Sequence, residues 1–286
     1  MKRFKLMTFN IRGSFQEADK KNLWKNRSEC NVKTILRHNP DVIGFQEMQI
    51  PNTETYAVRL PDYGVRPGIT VDVEKVSGWV MHNPIYWRGF EKVDCGGFYL
   101  SPTPDTWSKG WDASFVRSAT WAILRSDDVT FLYINTHLDH IGETARVESA
   151  KLIVQKIAEI GGDLPAIVTA DFNSRAWAPE HEADYPYPPA IIRSYLPPPN
   201  TVHKVFTDAG FRDSYIEAGY TNQMDMNTYH SFMGANFPPA ALRIDWILVR
   251  DGKQKIKVET CQIIRDHEGQ TYPSDHYPVM ASLSIE

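Results

Sequence analysis

Short apolar segments recur along the chain, and polar side chains stand at their ends. Five of these segments border acidic, amide or imidazole residues, and a further acid, Asp245, interrupts another apolar segment. The bordering groups are Asn10, Glu47, Asn135-Thr136-His137, Asp171-Phe172-Asn173 and Ser274-Asp275-His276. One such residue alone is usually structural, because polar side chains satisfy turns and strand ends. Their repetition instead predicts strands whose ends meet at one edge of a sheet and form a polar site.

Hydrophobic periodicity predicts alternating strands and helices. Residues 4–11 alternate as a strand, residues 22–38 have helical spacing, and residues 41–45 form a short apolar strand. Residues 143–160 again have helical spacing, and a glycine pair separates them from a strand at 166–170. Further strands are predicted at 83–88, 98–101, 118–125, 130–136, 242–250, 256–264 and 279–285. The pattern therefore predicts two β-α-β units and a largely antiparallel middle section.

We expect a single domain over residues 1–286. The chain is 42% hydrophobic, and it contains no repeat of fixed period and no low-complexity linker. A proline-rich segment at about 175–200 predicts a long ordered loop that begins shortly after Asn173. This position indicates that the loop lies over the polar site and contributes to specificity.

Composition disfavours several other classes of protein. No segment approaches the roughly 18 apolar residues that cross a bilayer, and the first residues lack a secretory signal. The three cysteines are too few and too widely spaced for a disulfide framework or a zinc cluster. A net charge of −4 disfavours a dedicated nucleic-acid binder but still allows a nuclease with a local basic groove. We therefore expect a cytoplasmic monomer.

The polar residues suit the hydrolysis of phosphate esters. Carboxylate and amide oxygens are the ligands that Mg²⁺ or Mn²⁺ prefers, and imidazoles exchange protons near neutral pH. Phosphate-ester hydrolysis needs charge neutralisation on the nonbridging oxygens and a group that positions the attacking water. The chain supplies the side chains that a metal-dependent phosphoesterase requires.

Six motifs, in order along the chain, resemble those of the endonuclease/exonuclease/phosphatase superfamily. The motifs are Thr8-Phe9-Asn10-Ile11-Arg12, Phe45-Gln46-Glu47, Asn135-Thr136-His137-Leu138, Asp171-Phe172-Asn173, Ile244-Asp245-Trp246-Ile247 and Ser274-Asp275-His276-Tyr277-Pro278. The resemblance implies an α/β fold, a four-layer α/β sandwich in which helices flank two mainly antiparallel central sheets. It also implies a phosphoesterase that uses Mg²⁺ (or Mn²⁺). Segments 110–117 and 135–146 are similar to a bacterial and fungal branch of the superfamily whose substrates are largely unassigned.

The resemblance also implies roles for the strand-end residues. Glu47 would bind the metal directly, with Asn10 and Asp275 near it. Asp171 and Asn173 would hold and orient the attacking water on the opposite side of the phosphate. In-line attack by this water would invert the configuration at phosphorus.

Two histidines would complete the implied site. His276 would face the phosphate, and Asp245 would accept a hydrogen bond from its imidazole and favour its charged form. His137 would donate to a nonbridging oxygen or to the leaving group. We expect the pairing of His276 with Asp245 to be visible in the structure.

One position departs from the family pattern. Relatives commonly have a glutamate where this chain aligns with Met81, and that glutamate supports the imidazole equivalent to His137. Without a carboxylate partner the pKa of His137 should fall, which weakens its role as a charged donor. The sequence leaves open whether His82 or Glu74 compensates.

Arg117 and Trp111 are candidates for substrate binding. The guanidinium of Arg117 suits two phosphate oxygens, although a solvated salt bridge is the alternative. Trp111 could belong to an aromatic rim that stacks on the substrate, or it could simply pack its loop onto the core.

His140 and Arg146 lie in the branch-specific segment. Both could contact a substrate group beyond the scissile phosphate. Arg146 could equally pair with Glu143 or Asp139 at the start of the predicted helix.

Three functions remain open from the sequence. The acidic balance and the aromatic loops favour a phosphoesterase, acting on a diester or a monoester, whose substrate is a small sugar- or lipid-linked compound. The alternative is a Mg²⁺-dependent endonuclease or exonuclease. A non-catalytic binding module that retains the fold is the second alternative, and the complete set of acids, amides and histidines disfavours it.

Overall fold

The computed structural model describes residues 1–70, 80–127, 129–181 and 196–286. Within these residues, twelve strands form two six-stranded sheets. In chain order the strands are β1 (Lys2–Asn10), β2 (Val42–Gln46), β3 (Gly64–Arg66), β4 (Ile85–Trp87), β5 (Glu91–Tyr99), β6 (Ser118–Ser126), β7 (Val129–His137), β8 (Ala166–Asp171), β9 (Arg212–Asp213), β10 (Asp245–Arg250), β11 (Ile256–Ile263) and β12 (Val279–Ile285). The helices are α1 (Trp24–His38), α2 (Ile50–Arg59), α3 (Glu143–Gly161), α4 (Thr201–Asp208) and α5 (Ser214–Glu217). Short 3₁₀ helices cover Lys20–Asn22 and Gly234–Asn236.

Each sheet contains one parallel pair of strands among antiparallel neighbours. The spatial order is β11-β12-β1-β2-β4-β3 in the first sheet and β5-β6-β7-β8-β10-β9 in the second. The parallel pairs are β1 with β2 and β7 with β8, and the other neighbouring pairs are antiparallel. Helix α1 connects the first parallel pair and α3 connects the second. The two predicted β-α-β units are therefore confirmed.

The sheets pack face to face, and helices cover their outer faces. Between the sheets, the rings of Phe4 and Phe131 stack with centroids 5.2 Å apart. Tyr56 of α2 belongs to the core on the outer side of the first sheet. Ile153 of α3 and Phe206 of α4 belong to the core on the outer side of the second sheet. The predicted four-layer α/β sandwich is confirmed.

Helix α3 shows how the sequence determines these elements. Ile153 and Ile157 lie four residues apart and are fully buried, as the helical period predicts. The N-cap residue is a glycine, and the carboxylate of Asp112 instead accepts a hydrogen bond of 2.6 Å from the N–H group of Ala145. Gly162 follows the last helical residue with a φ of 53°, which a glycine adopts without a steric penalty.

Some elements differ from the predicted pattern. Helix α2 was not predicted. It is short, with ten residues, has a proline in its first turn, and buries only Asn52 and Tyr56. Strand β5 begins at Glu91, whereas the sequence predicted a strand from residue 98. The first residues of this edge strand are exposed, so they lack the apolar pattern on which the prediction relied. Strand β10 begins at Asp245, so this acid starts the strand instead of interrupting it.

Buried amides join the two sheets next to the polar strand ends. The Nδ2 atom of Asn135 donates to the carbonyl oxygen of Phe45 at 2.7 Å, and its Oδ1 atom accepts from Nε2 of Gln46 at 2.7 Å. A Cβ atom on Gly44 would lie 2.4 Å from Oγ1 of Thr169, so the sheets approach too closely here for a larger residue. These contacts set the distance between β2 and β7.

None of the helices within the described ranges is long and apolar enough to cross a membrane. The single-domain organisation over residues 1–286 stays a prediction.

Candidate active site

The central strands of both sheets end on the same side of the molecule. Asn10 is the last residue of β1, and Glu47 directly follows β2. His137 and Asp171 end β7 and β8, where they are paired in register. Asp245 begins the antiparallel strand β10 opposite Asp171. The predicted polar groups therefore converge, although they come from two sheets rather than from one sheet edge.

The side-chain amide of Asn10 connects the two sheets within the site. Its Nδ2 atom donates to Oε1 of Glu47 at 3.0 Å and to Oδ2 of Asp171 at 2.9 Å. The carbonyl oxygen of Asn10 accepts a 2.7 Å hydrogen bond from Oγ of Ser274, beside Asp275. The segment before β12 is thus held against the end of β1.

Glu47 is the strongest candidate for a metal ligand. Its φ of 62° is rare for a residue other than glycine, and its Oε2 atom is buried without a hydrogen-bond partner among the described residues. Burial, together with the carboxylate of Asp275, raises the pKa of Glu47. Ligand atoms of Glu47, His137 and Asp171 lie within 4.8 Å of one another. A divalent cation would satisfy the unpaired oxygen and remove the repulsion, so these residues fit such an ion.

His276 and Asp245 form the predicted pair. The Nδ1 atom of His276 lies 2.9 Å from Oδ2 of Asp245, and its Nε2 atom lies 3.7 Å from Oδ2 of Asp171. Burial lowers the pKa of His276, but the carboxylates of Asp245 and Asp171 raise it more, to about 10. The imidazole is therefore charged at neutral pH and directs Nε2 toward Asp171.

His137 has a different environment. The Nδ2 atom of Asn173 donates to Nε2 of His137 at 2.9 Å and also to the carbonyl oxygen of Leu138 at 3.0 Å, which determines the orientation of the amide. The Nε2 atom is therefore an acceptor, and Nδ1, which has no partner in the described part of the chain, carries the proton. Burial, together with Arg117 and His276, holds the pKa of His137 well below its usual value. His137 is thus neutral.

Among the described residues no carboxylate pairs with Nδ1 of His137, in agreement with the expectation drawn from Met81, and the carboxylate of Asp171 lies 3.3 Å from Nε2 instead. Met81 lines the same cavity as His137. Glu74, which could have compensated, lies outside the described residues, and His82 is buried with its main chain paired to Met48. The lowered pKa of His137 agrees with this expectation and favours a neutral imidazole over a charged donor at this position.

Asp171 and Asn173 are arranged on the second sheet's side of the site. The backbone N–H of Asn173 donates to Oδ1 of Asp171 at 2.9 Å, and Asn173 has a φ of 46°. Burial, with a further contribution from Asp245, raises the pKa of Asp171. A carboxylate with a raised pKa is better able to accept a proton from water near neutral pH.

A cavity of about 700 Å³ opens in front of these residues. Its polar side contains Glu47, His137, Asp171, Asn173, Asp275 and His276. Its apolar side contains Phe15, Met81, Phe115, Pro197, Tyr229, Phe232, Met233, Phe237, Leu242 and Ile244. The cavity has the size and mixed lining expected for a compact ligand.

Two of the predicted substrate-binding residues, Arg117 and His140, line this cavity. Arg117 is 7% exposed, and its Nη2 atom lies 3.2 Å from Nδ1 of His140. Its Nε atom lies 3.5 Å from Oδ2 of Asp139. The imidazole of His140 stacks on the ring of Phe115, with centroids 5.6 Å apart. Burial and the neighbouring Arg117 lower the pKa of His140, so a guanidinium and a neutral imidazole are held in place beside the polar side of the cavity.

Arg146 and Trp111 are not among the described residues that line the cavity, and the substrate contacts predicted for them stay predictions. Arg146 is 3% exposed and donates through Nε to Glu143 at 2.9 Å and through Nη1 to the carbonyl of Asp139 at 2.9 Å. These contacts are the alternative that its sequence position left open, a pairing at the start of the helix. Trp111 precedes the Asp112 that caps α3, has a φ of 48° and is exposed.

Several cavity residues were not predicted from the sequence. Arg12 lines the cavity, with Nε 2.8 Å from Glu17 and 3.7 Å from Asp275. A cation two residues after Asn10 was a signal that could have identified it. The apolar wall from Tyr229 to Ile244 is irregular apart from the short 3₁₀ helix at Gly234–Asn236, and it has no periodic pattern.

The described ends of the proline-rich loop lie together at the cavity. The Nε atom of Arg175 donates to the carbonyl of Pro197 at 2.7 Å, and the N–H of Asn200 donates to the carbonyl of Arg175 at 2.7 Å. Pro197 lines the cavity, in agreement with the predicted position of the loop. Residues 182–195 of this loop lie outside the described residues.

Known proteins resemble the chain over nearly its whole length. Residues 7–276 match the profile of the Endonuclease/Exonuclease/phosphatase family. An endonuclease/exonuclease/phosphatase family protein from Bacteroides thetaiotaomicron is 28% identical, with a TM-score of 0.80 over 99% of this chain and 98% of that protein. Mannosyl-6-phosphatase from the same organism is 28% identical, with a TM-score of 0.78 over 98% of this chain and 99% of that protein.

A more distant structure shares the fold. TDP2 from D. rerio, solved with a single-strand DNA product, is 15% identical, with a TM-score of 0.69 over 99% of both chains. No curated protein matches the chain significantly.

Proposed function

Because the chain belongs to the endonuclease/exonuclease/phosphatase family and is a metal-dependent phosphoesterase, we propose that it hydrolyses a small, sugar- or lipid-linked phosphate ester. The substrate is a phosphodiester or a phosphomonoester. The proposal depends above all on one observation, the convergence of carboxylates, amides and imidazoles on a single cavity of about 700 Å³.

We assign Mg²⁺ (or Mn²⁺) to Glu47, with Asn10 and Asp275 beside it. The unpaired, buried Oε2 atom of Glu47 supports this assignment. When bound, the ion polarises the phosphate and neutralises charge on its nonbridging oxygens. Asn10 keeps the Glu47 carboxylate oriented through its 3.0 Å hydrogen bond.

Asp171 and Asn173 orient the attacking water, and the carboxylate of Asp171 accepts its proton. The raised pKa of Asp171 suits a base that works near neutral pH, and the Asn173 backbone holds one of its oxygens at 2.9 Å. The water attacks phosphorus in line with the leaving oxygen, so the phosphorus–oxygen bond to the leaving group breaks as the new bond forms.

His276 stabilises the charge that develops on the phosphate. Its Nδ1 proton is held by Asp245 at 2.9 Å, which leaves the Nε2 proton free to donate to a nonbridging oxygen. His137, neutral and held by Asn173, contributes an oriented imidazole rather than a charge. Arg117 binds further phosphate oxygens through its guanidinium.

Three features support a small substrate over a polymer. Pro197, Phe115 and Phe232 line the cavity around the polar groups. The net charge of −4 provides no overall attraction for nucleic acid. A solved structure 28% identical to the chain is a mannosyl-6-phosphatase, so a sugar phosphate is the first substrate to test.

The test is Mg²⁺-dependent hydrolysis of a panel of substrates. The panel contains mannose 6-phosphate, glycerophosphocholine, bis(p-nitrophenyl) phosphate and a single-stranded DNA oligonucleotide, at low and high salt. We expect turnover of a small ester that is nearly indifferent to salt and is lost in Glu47→Gln. Preferential cleavage of DNA with a steep salt dependence would support the nuclease alternative, and no turnover by folded protein with Mg²⁺ or Mn²⁺ would contradict the proposal. The cytoplasmic location and the monomeric state stay predictions.

A further inference from the structure

Arg27 is a buried cation on helix α1 that does not line the cavity. The residue is 1% exposed, and its three nitrogen atoms make five hydrogen bonds, which matches the number of N–H groups on a guanidinium. The acceptors are the carbonyl oxygens of Asn22, Ile11, Pro273, Arg12 and Gly13. Every one of these bonds goes to the main chain, so Arg27 organises backbone rather than a side-chain ion pair.

Four of the five acceptors, all except Asn22, belong to the two segments that adjoin the proposed metal ligands. Residues 11–13 follow Asn10 directly, and Pro273 lies two positions before Asp275. One nitrogen, Nη1, spans the two segments, with distances of 2.7 Å to Ile11 and 2.9 Å to Pro273. Both segments are therefore held against the same planar group.

Glu47, the third proposed metal ligand, is coupled to this arrangement through the backbone of residues 11–13. Arg12 and Gly13 have φ values of 52° and 27°, an uncommon pair of conformations that lets three successive carbonyls reach one guanidinium. A Cβ atom on Gly13 would lie 2.8 Å from the carbonyl oxygen of Glu47. The segment consequently packs against the residue that carries the unpaired carboxylate oxygen.

The shape of the guanidinium, more than its charge, accounts for these contacts. Burial lowers the pKa of Arg27 to about 10, so the group stays charged at neutral pH. A lysine would keep the charge but has only three N–H donors on a single nitrogen. It could not reach acceptors on both sides of Arg27 at once.

We propose that Arg27 is a positioning residue for the metal site, which sets the separation between the segments carrying Asn10 and Asp275. This inference rests on the metal centre of the proposed function. Residues that orient metal ligands without touching the ion typically change metal affinity or activity by about 10–100-fold when replaced. Arg27 belongs in that class.

The experiment measures Mn²⁺ binding to the full chain by titration calorimetry, together with the melting temperature of the metal-free protein. We expect Arg27→Lys to weaken Mn²⁺ binding by about 10–100-fold and to lower kcat, with KM for a small phosphate ester changed less. Asn31→Ala removes a second, weaker contact to the Pro273 carbonyl, at 3.1 Å, and should weaken Mn²⁺ binding in the same direction by a smaller factor. It replaces Arg27→Lys as the test if that variant does not fold.

Arg243→Lys is the matched control. Arg243 is also buried, at 3% exposure, but its Nη2 atom lies 2.7 Å from Oδ2 of Asp213. Neither residue lines the cavity. This variant should lower the melting temperature without changing Mn²⁺ affinity. Folded Arg27→Lys or Asn31→Ala that binds Mn²⁺ as tightly as the wild type would overturn the role of Arg27, as would an equal loss in Arg243→Lys. Wild-type protein that binds no Mn²⁺ would instead overturn the metal centre of the proposed function.

Discussion

The imidazole of His276 and the carboxylate of Asp245 lie 2.9 Å apart and connect the segment before β12 of the first sheet with the start of β10 in the second. The position of each side chain therefore depends on a partner from the other sheet. The pair therefore ties the proposed active site to the contact between the two layers.

Replacement of Asp245 by asparagine should lower activity and change its pH dependence. The carboxylate raises the pKa of His276, so the charged imidazole persists up to about pH 10 in the wild type and is lost only above it. In Asp245→Asn this pKa falls, and the alkaline limb of the kcat/KM profile should move to lower pH, with kcat reduced about 100-fold or more. Rates measured from pH 6 to 10 would show the shift, and an unmoved alkaline limb would contradict the assignment.

His137 should be a neutral imidazole with its proton on Nδ1 in the wild type at pH 7. Met81→Glu would place a carboxylate on the wall of the same cavity and should raise the pKa of His137. ¹⁵N chemical shifts of the histidine ring report both the tautomer and the charge. Met81→Gln has nearly the same size without the charge and should leave the wild-type spectrum unchanged. A charged His137 in the wild type at pH 7 would show that the hydrogen-bond assignment is wrong.

Glu47 should destabilise the metal-free protein near neutral pH. Because its folded-state pKa is raised above the unfolded value, the folded protein gains stability as pH falls through that raised pKa and loses it as pH rises. Glu47→Gln should therefore raise the melting temperature of the metal-free protein at pH 7, by about 2–4 °C for each kcal/mol relieved. It should also abolish the rise in melting temperature that Mg²⁺ or Mn²⁺ causes in the wild type. A lower melting temperature for the metal-free variant would refute this account.

Arg117 and Arg146 should respond differently to the same substitution. Arg117 lines the cavity, whereas Arg146 pairs with Glu143 and the carbonyl of Asp139. Arg117→Met should lower kcat/KM about 10–100-fold, the value of one or two hydrogen bonds to a charged group. Arg146→Met should mainly lower the melting temperature. Steady-state kinetics and thermal unfolding on both variants separate the two roles, and equal kinetic losses would return Arg146 to the substrate site.

Asn135 should contribute strongly to stability. Its amide donates to the carbonyls of Phe45 and Pro84 and accepts from Gln46, all of which are buried. Asn135→Leu would remove all three hydrogen bonds, although Pro84 and Gln46 keep other partners, and should cost about 2–3 kcal/mol in the free energy of unfolding. Urea denaturation measures this value. Asn26→Ala, at an exposed helical position, removes a hydrogen bond to Lys20 and should cost less than about 1 kcal/mol.

The sequence was sufficient to predict the fold and most polar residues of the site, and the reason is physical. A strand such as β7 buries alternating or continuous apolar residues, so the point where polar groups replace them marks its end. Parallel strands joined by a helix end on the same side of a sheet, which brings Asn10 near Glu47 and His137 near Asp171.

Other parts of the site depend on contacts between residues distant in sequence. The wall from Tyr229 to Ile244 is irregular, and its place over the cavity follows from the antiparallel bridge between Tyr229 and His276. The structural role of Arg146 could not be separated from substrate binding until its partners were seen. The tautomer of His137 likewise depends on Asn173, 36 positions away.

The close approach of the sheets at Gly44 has a consequence for how the protein loses activity. The first sheet contributes Asn10 and Glu47, and the second contributes His137 and Asp171, so no single layer carries a complete set of reactive groups. Slippage of one layer by an ångström would separate them while leaving most of the secondary structure and both outer cores in place. Inactivation by mild denaturant should therefore precede unfolding, and activity becomes a more sensitive reporter of interlayer order than circular dichroism.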